Sequence, residues 1–375
     1  MSDRQIRKIV QLVPELESGG VERGTLEMSR AIISAGHASY VISNGGSMVA
    51  QLEAEGAVHI TLPIHKKSLS SLKQVNKLRE LFQEYAFDIV HARSRVPAWL
   101  AYLAWRKMPV LSRPRFMTTF HGFHSVSPYS RIMTKGEQVI AVSESVKDHI
   151  AESYPKTDLS KVTVIHRGVK DEEYYASYIP SENSDARRLK NKAQGNFVLT
   201  LPGRITAWKG GDDFIELIHR LHTAGYKVEG WFAGGVHVKR DAFYKDLVSK
   251  VEKLNLTEQV KFIGHRSDLK DIMAVSDAVI SFSTKPEAFG RVSLEALRLG
   301  VPVLGYSHGG VSEQLEKLFP QGAIALGDLD KAFALLIEWM QEAPIVPETK
   351  DNPFTLQKMQ QKTLEVYNRL YASPR

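Results

Sequence analysis

Short apolar runs and amphipathic stretches take turns along this chain. Residues 6–13 form the first run and predict a strand. Residues 21–35 carry apolar side chains at helical spacing (Val21, Leu26, Met28, Ile32, Ile33), with Gly36 placed as a C-cap. Further strands are predicted at 40–43, 58–62, 88–91, 116–120, 138–142 and 162–165, and helices at 69–85 and 97–106. Ser143 is placed to cap a helix beginning near Glu144. Strands and helices alternating at this spacing predict a parallel sheet covered on both faces. Residues 171–195 break the rhythm, being polar and without apolar period apart from a short helix at 186–193. The pattern then restarts, with strands at 197–201, 227–233, 260–263, 278–282 and 300–304 and helices at 213–224 and 242–254. An amphipathic helix at 356–371 ends it. The expected organisation is a first α/β domain over 1–170, a linker over 171–195, a second α/β domain over 196–350 and a terminal segment over 351–375.

In an open parallel sheet, ligands bind where strands end and helices begin. The loops at such places are where this sequence is richest. After the strand at 278–282 come Glu287, Ala288, Phe289, Gly290, Arg291 and Val292, and then Glu295 inside the next helix. Gly290 permits close approach of backbone to a ligand. The free N–H groups and positive dipole end of the following helix suit a phosphate. A carboxylate at Glu295 can accept bonds from two ribose hydroxyls. After the strand at 197–201 comes Gly203-Arg204-Ile205-Thr206-Ala207-Trp208-Lys209-Gly210-Gly211, where an arginine and a lysine can grip a diphosphate. Gly19 and Gly20 follow the first strand, and His121-Gly122 the strand at 116–120.

Taken in order, Glu287–Gly290, Glu295–Leu297, Gly300-x-Pro302-Val303 and Gly309–Glu313 resemble the donor-site signature of family 4 of the retaining glycosyltransferases, closest to bacterial members that build lipopolysaccharide and other cell-surface glycans. Residues 203–211 resemble that family's G-R-x-x-x-x-K-G element. The resemblance implies the GT-B fold: two Rossmann-like, doubly wound parallel-sheet domains facing a cleft, with the last helix crossing back to the first domain. It implies a nucleotide-sugar donor, a UDP-sugar being favoured, with the second domain holding it. Arg204 and Lys209 would neutralise the leaving diphosphate, Glu287 hold the transferred sugar and Glu295 the ribose. His121 would contact the donor sugar, Gly19 and Gly20 face donor phosphate and acceptor, and the backbone around Gly264, His265 and Arg266 pair with the base. Two positions depart from the family pattern: Lys170, where Asp often follows Gly-Val, and Ala288, where Gly is common.

Composition adds limits. The 375 residues include no cysteine, so disulfides and thiolate metal sites are excluded and a reducing cytoplasm is compatible. The first residues run into a strand with no apolar leader, and no run of about 18 apolar residues predicts a membrane span. No histidine pair has zinc-site spacing, and Asp328-Leu329-Asp330 reads as a helix cap, so no metal and no other cofactor is expected. His124 reads as structural. Asp148 with His149, and Glu216 with His219, read as solvated helix surface.

The net charge of +7, with a pI near 9.2, favours anionic partners. It is concentrated at 89–136, which holds no Asp or Glu but carries Arg93, Arg95, Arg106, Lys107, Arg113, Arg115, Arg131 and Lys135 among aromatic residues. Such a stretch suits an anionic membrane surface or a phosphorylated glycan. Together with the resemblance, which implies a nucleotide sugar and a lipopolysaccharide or lipid-linked glycan acceptor, the expected partners include an anionic membrane, with peripheral attachment at the inner face of the cytoplasmic membrane. A competing reading is a sugar-nucleotide epimerase on the same fold, which would convert donor alone. A nucleic-acid binder is suggested by charge only, and no RNA-binding or helix-turn-helix signature accompanies it.

Overall fold

A computed structural model describes residues 6–17, 19–236, 241–348 and 352–374. Ser18, part of the first glycine loop, lies outside the described residues. The chain forms two compact units, one of residues 1–167 with 356–375 and one of residues 168–355.

In the first unit the order is β1 (Lys8–Leu12), α1 (Gly20–Ser34), β2 (Ala38–Ser43), α2 (Val49–Ala54), β3 (Val58–Thr61), α3 (Lys73–Glu84), β4 (Ile89–Ala92), α4 (Arg95–Arg106), β5 (Arg115–Phe120), β6 (Gln138–Ala141), α5 (Glu144–Ser153) and β7 (Val162–Val164). The strands make one parallel sheet in the order β3-β2-β1-β4-β5-β6-β7. Strand order therefore reverses between β1 and β4. β4 and β5 are buried along their whole length, as a sheet covered on both faces requires. Ser143 caps α5 by accepting from the Val146 N–H, as its place after a strand predicts.

The second unit runs α6 (Asp185–Lys192), β8 (Phe197–Pro202), α7 (Gly211–Thr223), β9 (Val228–Ala233), α8 (Asp241–Lys253), β10 (Val260–Phe262), α9 (Leu269–Ala274), β11 (Ala278–Ser281), α10 (Arg291–Arg298), β12 (Val303–Tyr306), α11 (Gly309–Leu318), β13 (Ala323–Ile324) and α12 (Leu329–Gln341). Its parallel sheet has the order β10-β9-β8-β11-β12-β13, reversing between β8 and β11. Asp328 caps α12 by accepting from the Lys331 N–H. Both sheets have the reversal at which open α/β folds place ligands. The GT-B pattern of two Rossmann-like sheets is thus present.

The last element, α13 (Leu356–Ala372), belongs to the first unit. Leu356, Met359, Val366, Tyr367 and Leu370 fill one core with Ile9, Met28, Ile32, Ile89 and Met117.

Local differences from the sequence reading have physical causes. The stretch at 69–85 is two pieces, a 3-10 turn Leu69–Leu72 and then α3. The strand expected at 300–304 starts at Val303, because Gly300 ends α10 at φ +76° and Pro302 has no N–H for a ladder. Of the basic residues at 89–136, Arg93 and Arg115 are inside: Arg93 donates to Gln11 Oε1 at 2.8 Å, and Arg115 pairs with Glu137 at 2.9 Å. His149 is not solvated, since its Nε2–H donates to the His124 carbonyl at 3.0 Å and its ring packs edge-on to Phe123. His219 likewise has a buried Nδ1, whereas Glu216 pairs with Arg220 on the helix surface as expected.

Candidate functional site

In the second unit the β8 and β11 loops leave adjacent strand ends and meet. Gly210 sits at φ +75°, and a Cβ there would lie 2.0 Å from the Phe282 carbonyl oxygen. Only glycine permits that approach. The Thr284 N–H donates to the Trp208 carbonyl at 2.8 Å, which ties the two loops together. The outcome is that Lys209 Nζ reaches Glu287 Oε1 at 2.8 Å, with both side chains about one-fifth exposed (22% and 19%). Ser283 Oγ donates to the same carboxylate oxygen at 2.5 Å. The lysine also stands 4.6 Å over the Trp208 ring.

Lys209, Ser283 and Glu287 line one small cavity with Gly290, Val292 and Ser293. Gly290 is the N-cap of α10 in the left-handed region, and no side chain caps that helix. The N–H groups of Val292 and Ser293 in its first turn suit an anion. Arg204 is exposed in the same loop as Lys209 and makes no ion pair among the described residues. Ala288 is half-buried, whereas Phe289 is buried and packs edge-on to Phe354. Glu295 is only 6% exposed, one turn along α10, with Arg291 Nε 3.5 Å from it.

His265 and Arg266 sit apart from this pair, in the loop after β10. Arg266 is clamped by two bonds to Asp268 at 2.7 and 2.6 Å, and those bonds hold its pKa above the usual guanidinium range. Its donors are thus partly committed, while His265 is exposed.

Gly309 and Gly310, which the sequence reading singled out, and Gln314 and His308, which it did not, shape the loop around Glu287. Gln314, fully buried on α11, donates to the carbonyls of Phe289 and Gly290. His308 Nε2–H donates to the Ser283 carbonyl at 2.6 Å. The Gly310 N–H donates to the Glu287 carbonyl at 2.7 Å. A Cβ at Gly309 would meet Glu287 O at 2.5 Å, and one at Gly310 the Phe289 Cα at 2.4 Å. The double glycine is the signal that pointed here, because it marks where one backbone presses on another. Gln314 carried no such signal.

The first unit presents its own reversal point. Gly19 is extended and uncapped before α1, so the first N–H groups of that helix are also free. Arg167 donates to the Gly20 carbonyl at 2.6 Å, and its guanidinium occupies the space a Cβ at Gly24 would fill. His121 lies at the end of β5 and lines a small cavity with His91, Arg93, Thr119 and Arg167. Burial first, then Arg93 and Arg167, push its pKa well below the usual imidazole range, so the ring is neutral. Its Nε2 has no hydrogen-bond partner among the described residues. His91 is likewise neutral through burial, bridging Tyr367 Oη at 2.8 Å and Thr119 Oγ1 at 2.7 Å. Among the described residues no group of three or more His, Asp or Glu side chains is placed to hold a metal ion.

Chemically, the second-unit site offers fixed positive charge, free helix N–H groups and one oriented carboxylate, which fits a phosphorylated sugar. The comparisons agree with that chemistry. The profile named Glycosyltransferase Family 4 matches residues 18–173, and that of Glycosyl transferases group 1 matches residues 182–352. The capsular polysaccharide biosynthesis glycosyltransferase CapM of Staphylococcus aureus is 25% identical over 380 residues, covering 96% of this chain and 97% of that protein. A glycosyltransferase of Rickettsia africae ESF-5 superposes with a TM-score of 0.85 at 28% identity, over 98% of this chain and 100% of that one. The Anabaena protein HepE in complex with UDP gives 0.80 at 21% identity, over 96% and 100%. The chain belongs to glycosyltransferase family 4, a retaining family of GT-B fold, and is a nucleotide-sugar-dependent glycosyltransferase.

Proposed function

We propose that this protein transfers a sugar from a UDP-sugar, without a metal, to a lipopolysaccharide core or other lipid-linked glycan at the inner face of the cytoplasmic membrane. The observation that carries the donor half is the cavity that joins Lys209, Glu287 and the uncapped start of α10. The donor's anomeric C–O bond breaks as the nucleoside diphosphate leaves with the electron pair. Lys209, Arg204 and the α10 N–H groups of Val292 and Ser293 stabilise that charge, which is electrostatic catalysis. The acceptor hydroxyl attacks from the same face and gives up its proton. Glu287 has both its side-chain bonds on Oε1, which leaves Oε2 for a hydroxyl of the transferred sugar. Glu295 takes the ribose with Arg291 as counter-ion. His121, neutral, acts as a hydrogen-bonding partner of the donor sugar, and Gly19 and Gly20 leave backbone open to phosphate and acceptor. With Arg266 held by Asp268, recognition of the base falls to the backbone near Gly264 and His265. UDP is favoured because HepE, of the same fold, is described with it. The glycan class is favoured by likeness to CapM. Membrane attachment is peripheral in this reading, since no helix among the described residues is long and apolar enough to cross a bilayer.

A thermal-shift series with UDP, GDP and ADP tests the donor. A ligand at about 100 times its Kd stabilises by about 2.7 kcal/mol, so UDP is expected to raise the melting temperature well above the other two. An equal response to all three removes the preference for UDP. The same series in EDTA is expected to be unchanged, and incubation with donor alone to give no epimerised sugar.

A further inference from the structure

The first unit carries an open groove of about 410 Å³. Val96, Trp99, Leu100 and Leu103 of α4 line it, with Leu72 and Tyr129. Leu72 is half exposed (50%), which is unusual for a leucine facing apolar neighbours. Trp99 Nε1–H donates to the Tyr129 carbonyl at 2.8 Å, so its one polar atom is satisfied and its ring serves as apolar wall. The rim is cationic. Lys66 and Lys67 are exposed at it, Lys67 Nζ stands 4.3 Å over the Tyr129 ring and Arg95 Cζ 5.3 Å from the same ring. Both segments that build the groove, residues 56–79 and 89–136, lack Asp and Glu.

An apolar trough with lysines and serines at its rim matches an amphiphile with an anionic head: the chain enters the trough and the head meets the lysines. Trp and Tyr at the lip have the amphipathic character found at membrane–water boundaries. We propose that this groove accepts one acyl chain of an anionic bilayer lipid, with Lys66 and Lys67 on its phosphate. The proposal rests on the membrane part of the function proposed above. It fixes which residues enter the bilayer surface, and it draws on residues 66–72, outside the basic stretch at 89–136.

The test uses the full chain with unilamellar vesicles of phosphatidylcholine or phosphatidylglycerol, with or without bromine on the acyl chains. Bromine quenches a nearby indole, and Trp99 is the tryptophan of the groove. The wild type is expected to sediment with phosphatidylglycerol vesicles at low salt and to lose fluorescence when they are brominated. That bromine-dependent loss is expected to shrink severalfold in Trp99→Phe. Leu72→Asp, and the double change Lys66→Glu with Lys67→Glu, are expected to weaken sedimentation about tenfold or more, since each basic side chain near an anionic surface counts for roughly a factor of five. These last positions are exposed, and an unchanged circular-dichroism melt shows that the variants fold. If the wild type sediments but quenching is the same in Trp99→Phe, the groove is not the site, while membrane attachment stands. Sedimentation of Leu72→Asp at the wild-type level likewise excludes the groove and leaves the attachment. If the wild type stays in the supernatant with phosphatidylglycerol vesicles, groove and membrane reading fall together. Self-association of the chain that Leu72→Asp abolishes, without vesicle binding, would place a second copy in the groove instead.

Discussion

Lys209 and Glu287 meet at 2.8 Å although 78 residues separate them. Each is mostly withdrawn from water, so the pair is screened less than a surface ion pair. Losing the ammonium removes a preorganised charge from the leaving-group side, and Lys209→Ala is expected to lower turnover by about 10²-fold or more. Glu287→Gln keeps the shape and the Ser283 contact but not the charge, and is expected to lower kcat with KM for the donor changed less. Steady-state kinetics of both variants decide this, and wild-type values in either one remove that residue from the chemistry. Both residues were legible in the sequence, because each follows an apolar run and lies in a stretch that resembles a donor-site motif of the family. Arg93, Arg167 and Gln314 were not, because their surroundings come from distant parts of the chain. Arg167 lies under Gly24, and nothing local in either segment says that they touch. His149 was misread for the same reason: its helix spacing is that of a surface residue, and the loop that covers it, with His124, is known only in three dimensions.

Among the elements, α11 does the most to shape the site while contributing no side chain proposed to touch the donor. Its two glycines press on the backbone at Glu287 and Phe289, and Gln314 holds the next two carbonyls. A methyl group at position 310 has to displace backbone, which costs about 1–3 kcal/mol as overpacking. Gly310→Ala is therefore expected to lower the melting temperature and turnover together. Gly20→Ala, where the space around the added methyl is open, is expected to melt like wild type. Equal melts for the two variants would show that the loop yields freely and that α11 does not brace it. Long periodic elements such as α1, α7 and α13 could be read from sequence. The short ones, α2 and α9, could not, because six residues with one or two buried side chains give no period to detect.

At the scale of the molecule, the break in rhythm near residues 171–195 is visible as composition. Where α13 goes is not, because its apolar stripe marks a helix without saying which core receives it, and only the family resemblance implied a return to the first domain. In the structure that core belongs to the first unit, which is therefore made of two pieces of chain far apart in sequence. This has a consequence in time. A ribosome adds about 5–20 residues per second, so residues 168–355 take roughly 10 to 40 s to emerge after residue 167. Throughout that interval Ile9, Met28, Ile32 and Ile89 lack the helix that covers them, and at its end the second unit has every residue of its own core while α13 is still to come. The second unit is expected to reach its folded state first, against the usual order in which the N-terminal part of a chain leads. Chains stalled before residue 356 should then yield protease-resistant fragments from 168–355 and none from 1–167. Resistance of 1–167 in such chains would show that its sheet closes without α13. Until the last turn of that helix is made, Ile9 and Ile89 wait for Val366 and Leu370.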